Sequence, residues 1–140
     1  MPPQTANETI DFQFHRTLTE NGHSTNKQFR ATSRQESGDR AVSAVANAPI
    51  DSVVCHWGRT TGYSCSTVAD TDTCQTLSGQ QFCGLDISDN DISEGGDSGG
   101  PWFFGNTARG GHTGAFSGVE SYFTRIGRVQ NALDATVLQN

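Results

Sequence analysis

The chain has 140 residues, a formal net charge of −6 and a hydrophobic content of only 33%. This length suits one domain of ordinary size. So low an apolar content excludes a helical bundle and favours short strands joined by many turns. A surface this acidic repels phosphate groups, and no apolar stretch is long enough to cross a bilayer. We therefore expect no nucleic acid and no membrane as a partner.

The predicted elements are mostly strands, followed by one helix. Alternating polar and apolar residues predict a first strand at Asp11–His15. The remaining elements before the helix are predicted, in chain order, at Val53–Trp57 (strand), Gly58–Gly62 (turn), Tyr63–Val68 (strand), Ser88–Gly95 (surface loop), Pro101–Phe104 (strand), Gly105–Asn106 (hairpin turn) and Gly110–Phe116 (strand). Apolar residues at helical spacing predict a C-terminal helix over Thr124–Gln139.

The four cysteines are Cys55, Cys65, Cys74 and Cys83. An even number of cysteines beside almost no lysine is typical of a secreted protein with disulfides. Met1–Thr9 has no apolar segment typical of a signal peptide, which indicates a mature or trimmed form. Three pairings are possible, and we favour Cys55–Cys65 and Cys74–Cys83 because each closes a short hairpin-like loop. A zinc site is the alternative, but the spacings match no zinc pattern, and we expect no metal and no cofactor.

The segment Gly96-Asp97-Ser98-Gly99-Gly100-Pro101 carries the chemistry of the chain. A serine hydroxyl is a poor nucleophile until its position and neighbours activate it. A tight glycine-rich turn exposes Ser98 and points main-chain N–H groups at a carbonyl oxygen that gains negative charge. A buried salt bridge from Asp97 would lock the shape of the turn. An ordinary surface turn is the alternative, but the apolar strand that follows disfavours it.

Three blocks of the chain, Val54–Cys65, Gly96–Phe103 and Ser117–Leu138, match one known family. They resemble the disulfide hairpin, the nucleophile loop and the closing strand with C-terminal helix of the bacterial secreted chymotrypsin-like serine proteases, the streptogrisin and α-lytic protease branch. The resemblance implies an all-β fold, a chymotrypsin-like antiparallel β-barrel. Residues 41–140 would form a complete C-terminal barrel with a terminal helix. Residues 1–40 would be a remnant of an N-terminal barrel, as in an N-terminally truncated relative.

The resemblance also implies a role for each matching residue. Ser98 would be the nucleophile of an acyl-enzyme mechanism, and the N–H groups of Gly96 and Ser98 would form the oxyanion hole. Arg59 would pair with Asp97 and brace the loop. The first of the two favoured disulfides would be the hairpin disulfide of the family.

A serine nucleophile needs a histidine base and an acid that orients this base. Asp11 is the candidate acid, since it lies 87 residues before Ser98, about the separation that the family shows; a solvated edge-strand residue is the alternative. The four histidines are His15, His23, His56 and His112. His15 would be about 13 Å from Asp11 in a regular strand, His23 lies in a polar loop, and strand alternation turns His56 to solvent. None matches the family histidine, so we expect the base on a segment upstream of this chain.

One strand aligns with the wall of the family's pocket for the P1 side chain, which precedes the scissile bond. The predicted pocket residues are Ser93, His112, Thr113 and Gly114. Glutamate-specific relatives carry a histidine at the place of His112, so an acidic P1 preference is one interpretation of this residue. A packed structural histidine is the other. Ile92 gives no basis for a preference for lysine or arginine.

Three functions compete on these features. The first is a secreted serine endopeptidase acting on peptides or proteins, and the second is a reduced serine hydrolase that cleaves small esters. The third is a catalytically inactive pseudoprotease or binding module. A partial N-terminal barrel would leave open sheet edges, so we also expect self-association. The chain also has an acidic cluster, formed by Asp86, Asp89, Asp91 and Glu94. Its spacing fits a solvated loop better than a calcium site.

Overall fold

The computed structural model describes residues 28–30, 39–137 and 139. Strands dominate this part of the chain, and a helix follows the last of them. The elements are β1 (Gln28–Arg30), β2 (Asp39–Ala41), β3 (Ala44–Val45), β4 (Val53–Gly58), β5 (Gly62–Leu77), β6 (Gln80–Ser88), β7 (Pro101–Phe104), β8 (Thr107–Phe116), β9 (Glu120–Arg125) and α1 (Ile126–Leu133).

Six of the described strands form a closed antiparallel barrel. They pair in the order β8, β7, β4, β5, β6 and β9, and β9 pairs again with β8 to close the ring. The short β3 adds to β8 in parallel, while β1 and β2 form a separate two-stranded sheet. The predicted all-β, chymotrypsin-like fold with a C-terminal helix is confirmed. Most of residues 1–40 lie outside the described residues, so the division into two units stays a prediction.

Large apolar side chains fill the interior of this barrel. Val54 of β4, Val68 of β5, Trp102 of β7 and Phe123 of β9 are fully buried and pack together. The rings of Trp102 and Phe123 stack with their centroids 4.5 Å apart. Burial of each such side chain stabilises a fold by about 1.5–3 kcal/mol. The cluster therefore holds together the strands that flank the candidate site.

His56 is buried, so the prediction that it faces solvent is wrong. Its exposed fraction is 0%, and its ring stacks on that of Trp102 with centroids 5.0 Å apart. β4 lies between β5 and β7, and both of its faces are covered. Val54 and His56 face the barrel interior, while Cys55 packs against Phe103 on the other side. Side chains of β4 alternate between two faces, but neither face is exposed to solvent.

Three elements differ from their predicted lengths by three residues or more, and one of them, β8, begins at Thr107 instead of Gly110. β5 runs to Leu77 instead of ending at Val68, and it forms a long hairpin with β6. The helix is shorter than predicted, because Asp134 adopts a left-handed conformation (φ 48°) directly after Leu133. Within the described residues, no helix has the length and apolar character needed to cross a membrane.

Both favoured disulfides are present. Cys55–Cys65 joins residues that lie directly opposite each other in β4 and β5. Cys74–Cys83 joins β5 to β6. The first bond holds the hairpin whose turn, Gly58–Gly62, reaches the candidate site.

Candidate active site

The Ser98 loop (residues 89–100) joins β6 to β7 and exposes the Ser98 side chain to solvent. Its C-terminal end is tied to β8. The N–H of Gly99 donates to the carbonyl of His112 at 3.0 Å, and the N–H of His112 donates to the carbonyl of Gly100 at 2.9 Å. The barrel strand therefore fixes the position of the loop from which Ser98 projects.

Two main-chain N–H groups of the loop face no partner among the described residues. Neither the N–H of Gly96 nor that of Ser98 donates in a hydrogen bond there. Gly96 has φ 102°, a conformation that suits glycine, and a Cβ atom at this position would overlap the Thr60 hydroxyl. Both N–H groups are thus free to donate to an acceptor from outside the described residues.

Asp97 is the buried centre of the loop, with an exposed fraction of 1%. Its Oδ1 accepts from the N–H groups of Thr60 (2.8 Å) and Thr61 (3.2 Å). Its Oδ2 accepts from the N–H of Glu94 (2.9 Å) and the hydroxyl of Thr61 (2.7 Å). Burial raises the pKa of Asp97, but these hydrogen bonds outweigh it and hold the pKa below its usual value. The expected pairing with Arg59 is not among these four contacts.

The turn after β4 braces the loop through two N–H groups and a threonine hydroxyl, and the brace from Arg59 stays a prediction. This turn and the loop interlock at Gly58, where a Cβ atom would overlap the carboxylate of Asp97. The Thr60 hydroxyl adds a hydrogen bond of 2.7 Å to the carbonyl of Gly95. Glycine at position 58 is therefore required for the close approach of the two segments.

Ser98 lines an open cavity of about 730 Å³. Three of the four predicted pocket residues line it too: Ser93, His112 and Gly114. Thr113 is not among the residues that line it, and the pairing of β8 with β9 is irregular between His112 and Gly114. Its hydroxyl lies 2.6 Å from that of Thr124, and it lines a separate cavity under the β5–β6 hairpin. The place of Thr113 in the pocket stays a prediction.

Asp91 is a residue of this cavity that sequence reasoning did not identify. Its Oδ1 accepts from the N–H and the hydroxyl of Ser93 and from the hydroxyl of Ser121, each at 3.1 Å, and its Oδ2 accepts from the N–H of Gly118 at 2.9 Å. Burial raises the pKa of Asp91, but these hydrogen bonds hold it below its usual value. The only feature of the sequence that pointed to Asp91 was the acidic cluster to which it belongs. Another member of this cluster, Asp86, is buried in β6. In the described ranges, no cluster of acidic, histidine or cysteine side chains is arranged to hold a metal ion.

Two histidines flank the indole ring of Trp102. The Nε1–H of Trp102 donates to Nδ1 of His112 at 3.2 Å. On the other side, Nε2 of His56 lies 2.8 Å from the carbonyl oxygen of Ile92, so it carries the proton and donates. Burial, with repulsion from His56, lowers the pKa of His112 to about 4, and burial also lowers the pKa of His56. The ring of His112 is therefore neutral at neutral pH.

No described residue has the position of a general base for Ser98. The predicted acid and two of the histidines lie outside the described residues: Asp11, His15 and His23. His56 is fully buried, and no hydrogen bond between described residues joins a histidine to Ser98. His112 shares the cavity with Ser98, but its pKa of about 4 makes it a weak base at neutral pH.

Solved structures similar to this chain are bacterial serine proteases. Protease A of Thermobifida fusca is 26% identical with a TM-score of 0.72, and the match covers 84% of this chain and 63% of that protein. The chymotrypsin of Cellulomonas bogoriensis is 26% identical with a TM-score of 0.69, over 81% of this chain and 62% of that one. A glutamic-acid-specific serine protease is 22% identical with a TM-score of 0.73, over 84% and 63% of the two chains.

These neighbours confirm the resemblance to bacterial chymotrypsin-like serine proteases that the sequence indicates. No protein-family model and no curated protein matches the chain. The chain spans slightly less than two thirds of the length of the structures that it matches.

Proposed function

We propose that this chain, which shares the fold of the bacterial chymotrypsin-like serine proteases, carries the nucleophile of a secreted serine endopeptidase. One observation carries the proposal: Ser98 is exposed on a braced loop and lines a cavity beside unused N–H groups. Groups of this kind stabilise the negative charge that develops during acyl transfer. The substrates would be peptides or proteins, and the two disulfides support an extracellular location.

In the proposed reaction, Ser98 Oγ attacks the substrate carbonyl carbon and forms an ester bond to it, while its proton passes to a general base. The carbonyl oxygen takes the negative charge and accepts hydrogen bonds from the N–H groups of Gly96 and Ser98. The base then protonates the leaving amine as the C–N bond breaks, and water hydrolyses the ester by the same sequence of steps. Asp11 remains the proposed acid that orients the base.

A fluorophosphonate probe is expected to label Ser98 when an effective general base is present, and Ser98→Ala is expected to abolish the labelling. The probe reports activation of the hydroxyl and needs no knowledge of the natural substrate. Mass spectrometry of the labelled peptide identifies the site. Ser117→Ala is the matched control, because this serine lines the same cavity and should leave the labelling unchanged. Equal labelling of the Ser98→Ala variant would refute the assignment.

The second candidate function is a pseudoprotease or binding module. The observation in its favour is that neither described histidine donates to or accepts from Ser98. A folded chain that is not labelled and does not hydrolyse a small chromogenic ester would support this candidate. Slow ester hydrolysis without peptide cleavage would instead support the reduced serine hydrolase. Replacing His15 or His23 by alanine then tests which histidine acts as the base.

We also propose that the cavity beside Ser98 binds the P1 side chain and accepts glutamate. His112 lines this cavity and offers a hydrogen-bonding imidazole. The glutamic-acid-specific relative uses a histidine triad in substrate binding. The carboxylates of Asp91 and Glu94 line the same cavity, and no described lysine or arginine does. The preference would therefore depend on hydrogen bonds and not on a countercharge.

Peptides with glutamate or glutamine at P1 are expected to be cleaved roughly fivefold more efficiently than the leucine analogue, since one hydrogen bond to a matched acceptor is worth about 1 kcal/mol. His112→Ala is expected to remove this difference in kcat/KM. Thr113→Ala is the matched control, because this neighbour is not among the residues that line the cavity and its hydroxyl lies within hydrogen-bond distance of Thr124. A leucine preference in the unmodified chain would contradict the proposal.

Self-association stays a prediction. The apolar surface next to β1 supports it. An open cavity there is lined by large side chains that include Phe29, Trp57 and Ile126.

A further inference from the structure

Trp102 controls which nitrogen of His112 carries the proton. The indole Nε1–H lies 3.2 Å from Nδ1 of His112, and the two rings are nearly parallel, with an angle of 17° between their planes. An indole N–H donates and never accepts a hydrogen bond. The Nδ1 atom must therefore be the acceptor. In a neutral imidazole the proton then resides on Nε2.

The imidazole of His112 is held in its neutral form. Its exposed fraction is 4%, and the ring of His56 lies 6.2 Å away between centroids. Burial and repulsion from His56 lower its pKa to about 4, against weaker opposing effects of Asp97 and Asp91. A single tautomer, with a proton on Nε2 only, is thus the form present at neutral pH.

The indole is itself fixed in place, so it cannot turn its N–H elsewhere. Trp102 is fully buried and stacks on Phe123 at 4.5 Å and on His56 at 5.0 Å between centroids. His56 is anchored in turn by its hydrogen bond to the carbonyl of Ile92. Packing on both faces leaves the indole with one orientation, in which its N–H points at His112.

The Nε2 atom of His112 is the part of this group that faces the cavity. It is not among the buried side-chain atoms that lack a partner, and no hydrogen bond between described residues uses it. The carboxylate of Asp91, which lines the same cavity, is already occupied by four donors. A ligand side chain in the cavity therefore meets an N–H donor from His112.

We infer that Trp102 is a positioning residue that locks His112 as the Nε2–H tautomer, so that the cavity selects side chains ending in an oxygen acceptor. The matching class comprises carboxylates and amides, and an amide meets no charge repulsion from the Asp91 and Glu94 side chains that line the same cavity. This inference rests on the proposed function in one respect, since it treats the cavity as the P1 pocket. The locked tautomer itself does not depend on catalysis.

Nitrogen NMR of the full chain labelled with ¹⁵N-histidine tests the tautomer. In the unmodified protein, Nδ1 of His112 is expected at the frequency of an unprotonated imidazole nitrogen and Nε2 at that of a protonated one. Trp102→Phe keeps an aromatic ring but removes the N–H, and it is expected to yield a mixture of tautomers. Trp57→Phe is the matched control and should leave the His112 signals unchanged. A proton on Nδ1 in the unmodified protein overturns the inference even if the Trp102→Phe variant fails to fold.

Binding of product-like peptides tests the selection. Tetrapeptides ending in glutamine, glutamate or leucine are titrated into both proteins, and dissociation constants are taken from amide shifts. Trp102→Phe is expected to weaken binding of the first two by about fivefold, the value of one hydrogen bond, and to leave the leucine peptide unchanged. Equal weakening of all three would indicate a structural role only and overturn the inference. If Ser98 is not labelled by the fluorophosphonate while these results hold, the proposed catalysis fails and the positioning role stands.

Discussion

Replacing Asp97 by asparagine is expected to lower the free energy of unfolding by about 2–3 kcal/mol and to remove most labelling of Ser98. The carboxylate accepts four hydrogen bonds in a site with 1% exposure. An amide keeps one oxygen for the N–H groups of Thr60 and Thr61. Its NH₂ group would then face the N–H of Glu94, where two donors meet. The loop that carries Ser98 would lose its anchor.

Urea denaturation across a pH series measures this effect. The folded-state pKa of Asp97 is depressed, so its stabilisation is present above the unfolded-state pKa and is lost as the pH falls through the folded value. The asparagine variant should lack this acid-dependent part of its stability. Asp89→Asn is the matched control, because this residue of the same loop is exposed. Equal stability and equal labelling of Asp97→Asn and the unmodified chain would contradict the bracing role.

Asp86 is expected to make the folded chain less stable as the pH rises from about 4 to about 6. Its side chain is fully buried, and its Oδ2 has no partner among the described residues. Its Oδ1 accepts from the N–H of Asp72 (3.0 Å) and lies 3.4 Å from Nε of Arg125. Burial raises the pKa to about 6 against the opposing effects of these two contacts. The folded state therefore binds a proton more tightly than the unfolded state, and stability falls as that proton leaves.

Asp86→Asn is expected to remove this dependence, which amounts to about 2–3 kcal/mol for a shift of this size. The amide oxygen still accepts from the N–H of Asp72, and Arg125 keeps its ion pair with the Asp72 side chain at 3.6 Å. Thermal unfolding at several pH values between 4 and 7 checks the prediction. Asp72→Asn, a change in a largely exposed partner of the same arginine, should retain the dependence. Identical pH profiles for Asp86→Asn and the unmodified chain would refute it.

Local patterns predicted the parts of this molecule that depend on neighbouring residues. The strand Pro101–Phe104, the turn that follows it and both disulfides match because turn residues and alternation are local signals. The Ser98 loop was identified from six consecutive residues. The turn after β4, which packs against this loop, was likewise identified from its own glycines.

The errors arose where the fold brings distant residues together. His56 alternates correctly along β4, but the barrel interior covers one face of that strand, and Phe29 and Phe103 cover the other. Asp91 stabilises the cavity through Ser121 and Gly118, which come from the far end of the described chain. No local pattern contains such partners.

The contact between Trp102 and His112 was missed for a related reason. Each residue was interpreted separately, one as part of a strand and the other as part of a pocket. Their hydrogen bond depends on the register of β7 against β8, which is irregular directly after Trp102. No sequence pattern predicts this irregular register, although it determines which side chain contacts the indole.

The overlap that a side chain at Gly58 would make with the Asp97 carboxylate also constrains how these segments can change over evolutionary time. A larger residue at position 58 is compatible with the loop only if the acid at position 97 shrinks or moves. Losing that acid removes the reason for the close approach of the two segments. Positions 58 and 97 are 39 residues apart in the sequence. They should therefore covary among relatives.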